Sequence, residues 1–452
     1  MNVGGERRSL SCNSRLPRRT KSILAQRFKP QPQSEQILRE RPTQYRNMSA
    51  TPASESNPQP RIAIIGGGPA GLVLLLTLLK RGVPATLYER DIDSTARANL
   101  GGTLDLHWNS GQRALRENGL EEVFLKNSRS EAEETRVCGK DGTLLWHNSP
   151  SDKAGTAVEW SRPEIDRRVL RQILLDALPD PSAIKWGHAL SSILPLDDGQ
   201  HELTFANGLV TVADLVIGAD GAHSRVRPLV SSATPIYHGV NGAEISLAPA
   251  RAALPENQDI ATNVGVGSCY AAQDGKILAF QRNGDGRIRA YAWHRTTLDW
   301  SLPRDPAAAK KVLLDIYADW APWMRKFIDE CDDDAIYLRP LFYLPVGHCW
   351  LHTPGVTLIG DAAHLMSPFA GQGANLAMLD GLELGLVVAD AVGNRRGSKD
   401  REAEIAAWEE SMCERAKGQA ARSYKNLELF LGAEAPQSVA DNFRRVAELR
   451  RG

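Results

Sequence analysis

Gly66-Gly67-Gly68-Pro69-Ala70-Gly71 is a G-x-G-x-x-G set between a short apolar run, Ile62 to Ile65, and a helical stretch opened by Pro69. Each glycine there has a physical task. Gly66 makes the tight turn, Gly68 lets a pyrophosphate approach the backbone, and Gly71 lets helix and sheet pack closely, while the helix N-terminus around Ala70 faces the phosphates. Glu89 stands 18 residues beyond Gly71, at the end of the next apolar run, where a carboxylate accepts hydrogen bonds from an adenosine ribose. The chemistry implied is the holding of a dinucleotide. A plain glycine turn uses the same residues, and the pattern does not choose between FAD and NAD.

Two later motifs bear on that choice. Gly218-Ala-Asp220-Gly221-Ala-His-Ser224-Arg225-Val-Arg227 follows the apolar run 215–217, and Gly360-Asp361-Ala-Ala-His364 follows the run 356–359. The second leads through Pro368-Phe369-Ala-Gly371-Gln-Gly373 into a helix from about Ala374. A short acid just after a buried strand can take the hydroxyls of a ribityl chain. A helix N-terminus then offers N–H groups to a ring whose reduced form is anionic. Each motif alone also fits an ordinary strand-end turn.

The elements that must position these groups follow from the pattern. Strand, glycine turn, helix Pro69–Arg81 stopped by Gly82, and strand Ala85–Glu89 form a first unit. Ser161-Arg-Pro-Glu164 reads as a capping box opening a helix to about Leu178, with Ile165, Val169, Ile173 and Leu174 as its apolar arc. Residues 240–295 alternate and turn at Asp274-Gly275 and Asn283-Gly284-Asp285-Gly286, which predicts an antiparallel meander inserted into the first lobe. From Glu402 the chain is mostly helical, with a further helix near 438–450. The expected division is a disordered leader over 1–60, cofactor-binding segments at 61–230 and 346–395, a substrate lobe at 231–345 and C-terminal helices over 396–452.

The chain has 452 residues, enough for two or three lobes, and 54 basic against 54 acidic side chains. Residues 1–47 carry 11 basic and 3 acidic groups, so the remainder is mildly acidic, which argues against a nucleic-acid partner for the folded part. The leader is too poor in apolar residues to fold alone. Its Arg-rich, acid-poor composition also matches an organelle transit peptide, and Met48 is an alternative initiator. Cytoplasmic location is expected, with organelle targeting through the leader as the alternative. Six cysteines without a Cys-x-x-Cys pair suggest neither a disulfide framework nor a zinc ribbon, and a reducing compartment fits best. The longest apolar run, Leu72 to Leu79, is far short of the roughly 20 residues a membrane span needs.

Taken together and in this order, the three motif blocks resemble the single-component, class A flavoprotein monooxygenases typified by para-hydroxybenzoate hydroxylase, over nearly everything from Arg61 to about Ala420. The likeness extends to the tetracycline-inactivating branch in Tyr88-Glu-Arg-Asp91, Gly101-Gly-Thr-Leu-Asp-Leu-His107, Ser110-Gly-Gln112, Pro163-Glu-Ile-Asp-Arg167 and Gly360 through Gly373. The fold implied is α/β: a Rossmann-like FAD-binding domain, an inserted antiparallel β-sheet substrate domain and C-terminal helices. The resemblance implies that Glu89 and Arg90 serve the adenosine end of FAD, Arg167 and Asp361 the FAD, Asp105 the flavin region, and Arg97 the incoming NADPH. Asp220-Gly221 would serve both FAD and nicotinamide, and Gly371 and Gly373 the flavin. Arg167 also lies at the edge of its helix's apolar arc, where a guanidinium wants an acceptor, either a cofactor or a nearby carboxylate.

The implied chemistry is carried by the cofactor. NADPH reduces FAD, oxygen adds at the flavin 4a carbon, and the hydroperoxide passes one oxygen atom to an electron-rich small molecule, aromatic or polycyclic, polyketides and other secondary metabolites included. No side-chain nucleophile is required and no catalytic residue is assigned. Gln273, Pro368 and Phe369 are expected to line the substrate, although around Gly242 and Gln273 the residues differ from the Gln and His of the tetracycline-inactivating branch. His348 and His352 stand at i and i+4 without the zinc-protease carboxylate and between Pro345 and Pro354, so no metal is expected there. His364 and the tryptophans at 293, 300, 320 and 323 read as structural or pocket wall. Rival readings are a flavin halogenase, whose Trp-x-Trp-x-Ile-Pro signature is absent, an NAD-dependent dehydrogenase, a flavin oxidase of the same fold, and a flavin-retaining binding protein.

Overall fold

The computed structural model describes residues 59–96, 101–149, 158–197 and 199–451. The expected leader, apart from its last two residues, and Arg97 lie outside the described residues. A five-stranded parallel sheet runs in the order 356–358, 215–218, 62–65, 86–88, 184–185, with Ile64 opposite both Ile217 and Leu87. Its inner runs 62–65 and 215–218 are continuous buried stretches without alternation, because a parallel sheet covered on both faces buries every side chain. Helix α1 (Pro69–Lys80) is buried from Ala70 to Leu78, so it is apolar all round rather than amphipathic. Helix α2 (Arg167–Asp176) covers the sheet with Leu170, Ile173 and Leu174. Helix α3 (Gly373–Gly393) lies against α1. A side chain at Gly381 would put its Cβ 2.4 Å from the Ala70 carbonyl oxygen, so the two backbones touch where only glycine fits.

The second sheet has seven strands in the order 336–338, 240–247, 288–295, 276–282, 268–273, 135–138, 144–148. The meander expected over 240–295 is present, with short helices over 249–264 between its first two strands. The Asp274-Gly275 hairpin has φ of 54° and 70°, the paired left-handed conformation a two-residue turn between twisted strands requires. Strands 135–138 and 144–148 complete this sheet from far upstream, 135–138 pairing in parallel with 268–273.

Alternation sorts its two faces. Ala243, Ile245, Cys269, Ala271, Leu278, Phe280, Ala290 and Ala292 meet Tyr317, Trp320, Trp323 and Phe327 in one core. Val240, Ala272, Ile277, Ala279 and Trp293 meet the C-terminal helices α4 (Ser398–Phe430) and α5 (Gln437–Arg451) through Leu427, Phe430, Val439 and Ala440. None of the described helices is long and apolar enough to cross a membrane.

Two expectations are corrected. Ser161–Glu164 is not a capping box: Glu164–Asp166 is a strand paired antiparallel with Thr103–Asp105, and the helix starts at Arg167. The ladder buries Leu104 and Ile165 and satisfies backbone groups that a local cap would otherwise have served. Cys349 and Cys413 form a disulfide, with Cα atoms 5.7 Å apart. They are 64 residues apart, so no local spacing marked them; packing of α4 on the segment 345–352 brings them together.

Candidate functional site

The first glycine turn has the geometry its sequence demands. Gly66 has φ of 107°, donates its N–H to Tyr88 O at 2.9 Å, and a Cβ there would stand 2.4 Å from Ala219 O. A Cβ at Gly71 would stand 2.0 Å from Gly66 O, so the turn and α1 are in backbone contact. Gly68 differs: a Cβ there meets nothing within 4 Å. No packing forbids a side chain at Gly68, so the open space is what a ligand's close approach needs. As cap of α1 it supplies no side-chain hydrogen bond, and Ala70 and Gly71 lie in the first turn behind Pro69. Glu89 is buried; its Oε2 accepts from Gly67 N at 2.6 Å and its Oε1 from Asp91 N at 3.0 Å. Arg171 closes the same corner, donating to Gly67 O at 2.5 Å. Arg90 is exposed on the following loop.

The two other motifs meet at Arg227, a buried side chain whose role the sequence did not reveal. Its Nε donates to Ala362 O at 2.8 Å, and its Nη2 to Ala222 O at 2.8 Å and Asp361 O at 3.3 Å. Beside it, Asp220 Oδ2 accepts from Arg225 N at 2.7 Å, while its Oδ1 is buried with no hydrogen-bond partner. Burial raises the Asp220 carboxyl above the ordinary range. Gly221 takes φ of 82°.

Asp361 is reached by solvent, yet burial among surrounding protein atoms raises its carboxyl, against the pull of His364, Arg167 and Arg227. Arg167 lies at the start of α2, exposed, its Cδ 2.7 Å from where a Gly101 Cβ would be, and makes no ion pair among the described residues. Behind Asp361, buried Asp380 accepts from Gly360 N at 3.0 Å and Arg415 Nη2 at 3.3 Å, and lies 2.6 Å from His364 Nε2. Burial alone would lower the His364 imidazole, but the ion pair with Asp380 and the Asp361 charge outweigh it and raise it. His364 thereby sits under the loop as the buried partner of Asp380.

Asn375, near the start of α3, joins the third corner. Its Oδ1 accepts from His107 N at 2.8 Å and Ser110 Oγ at 3.2 Å; its Nδ2 donates to Asp105 O at 2.8 Å and Gly371 O at 3.1 Å. Asp105 Oδ2 is 3.0 Å from His107 Nε2, and Asp105 Oδ1 would be 3.1 Å from a Cβ at Gly371, whose φ is 63°. Gly373 follows at the first position of α3. Glu164 faces Asp105 across its two-stranded ladder; burial first and Asp105 second push its carboxyl up to about 8, and its Oε2 has no partner.

An aromatic cluster packs on one face of the seven-stranded sheet. Tyr291 and Trp293 stack at 4.8 Å, Trp293 and Phe369 lie 5.8 Å apart, and Phe369 and Phe430 5.2 Å. Tyr270 meets Phe430 at 5.5 Å on the same sheet face. Pro368 is exposed at the turn that presents Phe369. Gln273 does not join this group: it sits at the hairpin end of its strand, where Oε1 accepts from Lys140 N at 3.3 Å. Tyr291, Gln281 and Gly102 do join it, since a Cβ at Gly102 would collide with Gln281 Oε1 and lie 3.2 Å from Tyr291 Oη. Their distance in sequence hid them. His348 and His352 are held apart: Nδ1 of His348 is 2.6 Å from Ala363 O, and Nδ1 of His352 is 2.8 Å from Glu409 Oε2.

Gly66, Gly68, Gly71, Asp220, Asp361, Arg167 and Gly371 thus border connected ground around two helix N-termini, and the open Gly68 and unpaired Asp220 oxygen suit a dinucleotide with a polyhydroxy chain. Comparison with known proteins agrees. A family model described as "FAD binding domain" matches residues 60–318 and 351–402. The monooxygenase asqM of Emericella nidulans is 32% identical over 377 residues, 72% of this chain and 82% of that protein. The 3-amino-4-hydroxybenzoate 2-monooxygenase PtmB3 of Streptomyces platensis is 30% identical over 346 residues, 75% of this chain and 81% of that protein. Among solved structures, Klebsiella pneumoniae HpxO complexed with FAD and uric acid superposes with a TM-score of 0.68 at 21% identity, covering 87% of this chain and 93% of that one. The tetracycline destructase Tet(51) does so with 0.62 at 21%, covering 86% and 96%. The chain therefore belongs to the FAD binding domain family, and within it is an FAD-dependent oxidoreductase of the aromatic-hydroxylase-type, single-component monooxygenases.

Proposed function

We propose that the protein uses NADPH and molecular oxygen to place one oxygen atom on a small aromatic or polycyclic substrate lying flat against Tyr270, Tyr291, Trp293 and Phe369. The observation that carries this reading is the position of Phe369. It stands in the turn between Asp361 and Gly373, in van der Waals range of Trp293 on the sheet, so the aromatic wall and the flavin-binding loop are one continuous surface. When bound, FAD supplies the electron transfer and oxygen activation that no side chain here provides.

This chain's residues do the rest. The N-termini of α1 and α3 offer N–H groups and positive dipole ends to the pyrophosphate and the flavin ring. Glu89 faces the adenosine end with Arg90 beside it, Asp220 and Asp361 take ribityl hydroxyls, and Arg167 lends positive charge near the ring. Asp105 and Gly371 border the flavin edge. Arg97 and the Asp220-Gly221 corner receive NADPH, which docks transiently because the chain carries one dinucleotide-binding turn. Substrates of the polyketide and secondary-metabolite type offer the flat electron-rich rings that aromatic side chains pack against.

The test is a stopped-flow and mass-spectrometric pair: substrate-dependent NADPH oxidation by the FAD-loaded enzyme, with isotopically labelled molecular oxygen appearing in the product. NADPH oxidation indifferent to every aromatic substrate, with only hydrogen peroxide formed, would reduce the reading to a flavin oxidase.

A further inference from the structure

The segment 345–352 leads into the strand Val356–Leu358 and is held from two sides. Toward the flavin loop, His348 Nδ1 lies 2.6 Å from Ala363 O and its Nε2 2.9 Å from Ser231 Oγ. Toward α4, Trp350 Nε1 donates to Glu409 Oε1 at 3.1 Å, His352 Nδ1 meets Glu409 Oε2 at 2.8 Å, and Cys349 is bonded to Cys413. The two sulfur-bearing residues differ in access: Cys349 is exposed and Cys413 is buried. The other described cysteines, Cys138, Cys269 and Cys331, are all buried thiols.

We propose that the Cys349–Cys413 bridge is a thiol-exchange site, through which an external dithiol loosens the support of the cofactor loop. A thiolate of the dithiol attacks the exposed sulfur of Cys349, the bond to Cys413 breaks, and Cys413 leaves as a thiolate that takes up a proton. The second thiol of the reductant then displaces Cys349. Two electrons and two protons pass to the bridge, and the reductant ends as its own disulfide.

The geometry sets what opening releases. The Glu409 contacts lie at Trp350 and His352, beyond the bridge, so α4 stays docked when the bridge is cut. Pro345, Val346 and Gly347, on the near side, are exposed, lie beside Ala416 and Lys417 of α4, and are tied to the cofactor loop through His348 and through Leu344 N, which donates to Leu365 O at 2.9 Å. His348 in turn supports Ala363, two residues from Asp361. Loosening at 345–349 therefore reaches the Asp361 loop as a weaker hold on FAD.

Protein purified without reductant should show four free thiols out of six after denaturation, and six after treatment with a dithiol. FAD release from the loaded enzyme, followed by recovery of flavin fluorescence, should be roughly threefold to tenfold faster after the bridge is reduced. Cys349→Ser and Cys413→Ser should release FAD at the rate of the reduced parent whether or not dithiol is present. Because Cys349 is exposed, its variant folds even where the buried one does not. Six free thiols in the untreated protein, or equal release rates in the oxidised parent and Cys349→Ser, would overturn the proposal.

Discussion

Gly68→Ala separates a glycine kept for folding from one kept for a ligand. At Gly68 φ is −75° and ψ −179°, extended backbone that alanine adopts freely, and a Cβ meets no atom within 4 Å. Alanine is a poorer helix cap than glycine but restricts the unfolded chain, two effects of opposite sign each about 0.5–1 kcal/mol. The ligand-free variant should unfold within about 1 kcal/mol of the parent. The methyl group instead occupies the pyrophosphate's approach. Losing one or two charge-assisted hydrogen bonds at about 1.5–3 kcal/mol each weakens FAD binding by on the order of a hundredfold. Gly71→Ala is the opposite case. Its Cβ would stand 2.0 Å from Gly66 O against an ordinary contact of roughly 3.5 Å, so α1 must move and the ligand-free protein loses about 1–3 kcal/mol or more. Thermal unfolding of both apo-variants, with FAD titration by fluorescence quenching, reads both effects. A Gly68→Ala protein that binds FAD like the parent would refute the placement of the pyrophosphate.

The parent should be yellow with FAD released intact by acid, and Asp361→Ala should keep its fold while losing at least about tenfold in FAD affinity, one hydrogen bond to a charged group at about 1.5 kcal/mol; unchanged flavin occupancy argues against the ribityl role. Phe369→Ala should raise KM for an aromatic substrate severalfold, with about 0.5–1.5 kcal/mol lost from ring contacts and FAD binding unaltered, read by steady-state kinetics. Glu164, pushed up to about 8, keeps its proton in the folded state where the unfolded chain has lost it above about 4.3, so its contribution to stability is full below that pH and is lost as pH rises to about 8. Glu164→Gln should therefore gain thermal stability over the parent at pH 8.5 but not at pH 5, and equal gains at both would show that the parent's carboxyl does not titrate there.

The glycine turn at 66–71, the Asp220 and Asp361 corners and the Asp274-Gly275 hairpin were legible because each is fixed by residues adjacent in sequence: a positive φ, a backbone contact or a strand-end acid. Glu164 was misread because a long-range ladder with Thr103–Asp105 took over backbone groups that the local pattern assigned to a cap. Asn375, Asp380 and Arg227 were not singled out, since each acts on loops far off in the chain, His107 being 268 residues from Asn375. The same holds for Cys349 with Cys413. Gln273 shows the converse: the Asp274-Gly275 turn already placed it at the hairpin end of its strand, but its partner Lys140, far upstream in the chain, was not legible.

The tie made by Arg227 also constrains when the two motif loops can meet. It reaches 135 residues along the chain to Ala362, and the strand 356–358 that carries the second motif is the outermost of its sheet. On a ribosome, the glycine turn and the Asp220 corner emerge long before Asp361, and the intervening lobe must close on itself before its two ends can meet as neighbouring strands. Non-local parallel pairing of this kind is slow. The Asp361 corner thus arrives last, and free FAD, by binding only the finished form, draws the nascent protein into it by mass action. Cells short of riboflavin should accumulate this chain with its edge strand unpaired, a form open to proteolysis between the two motifs.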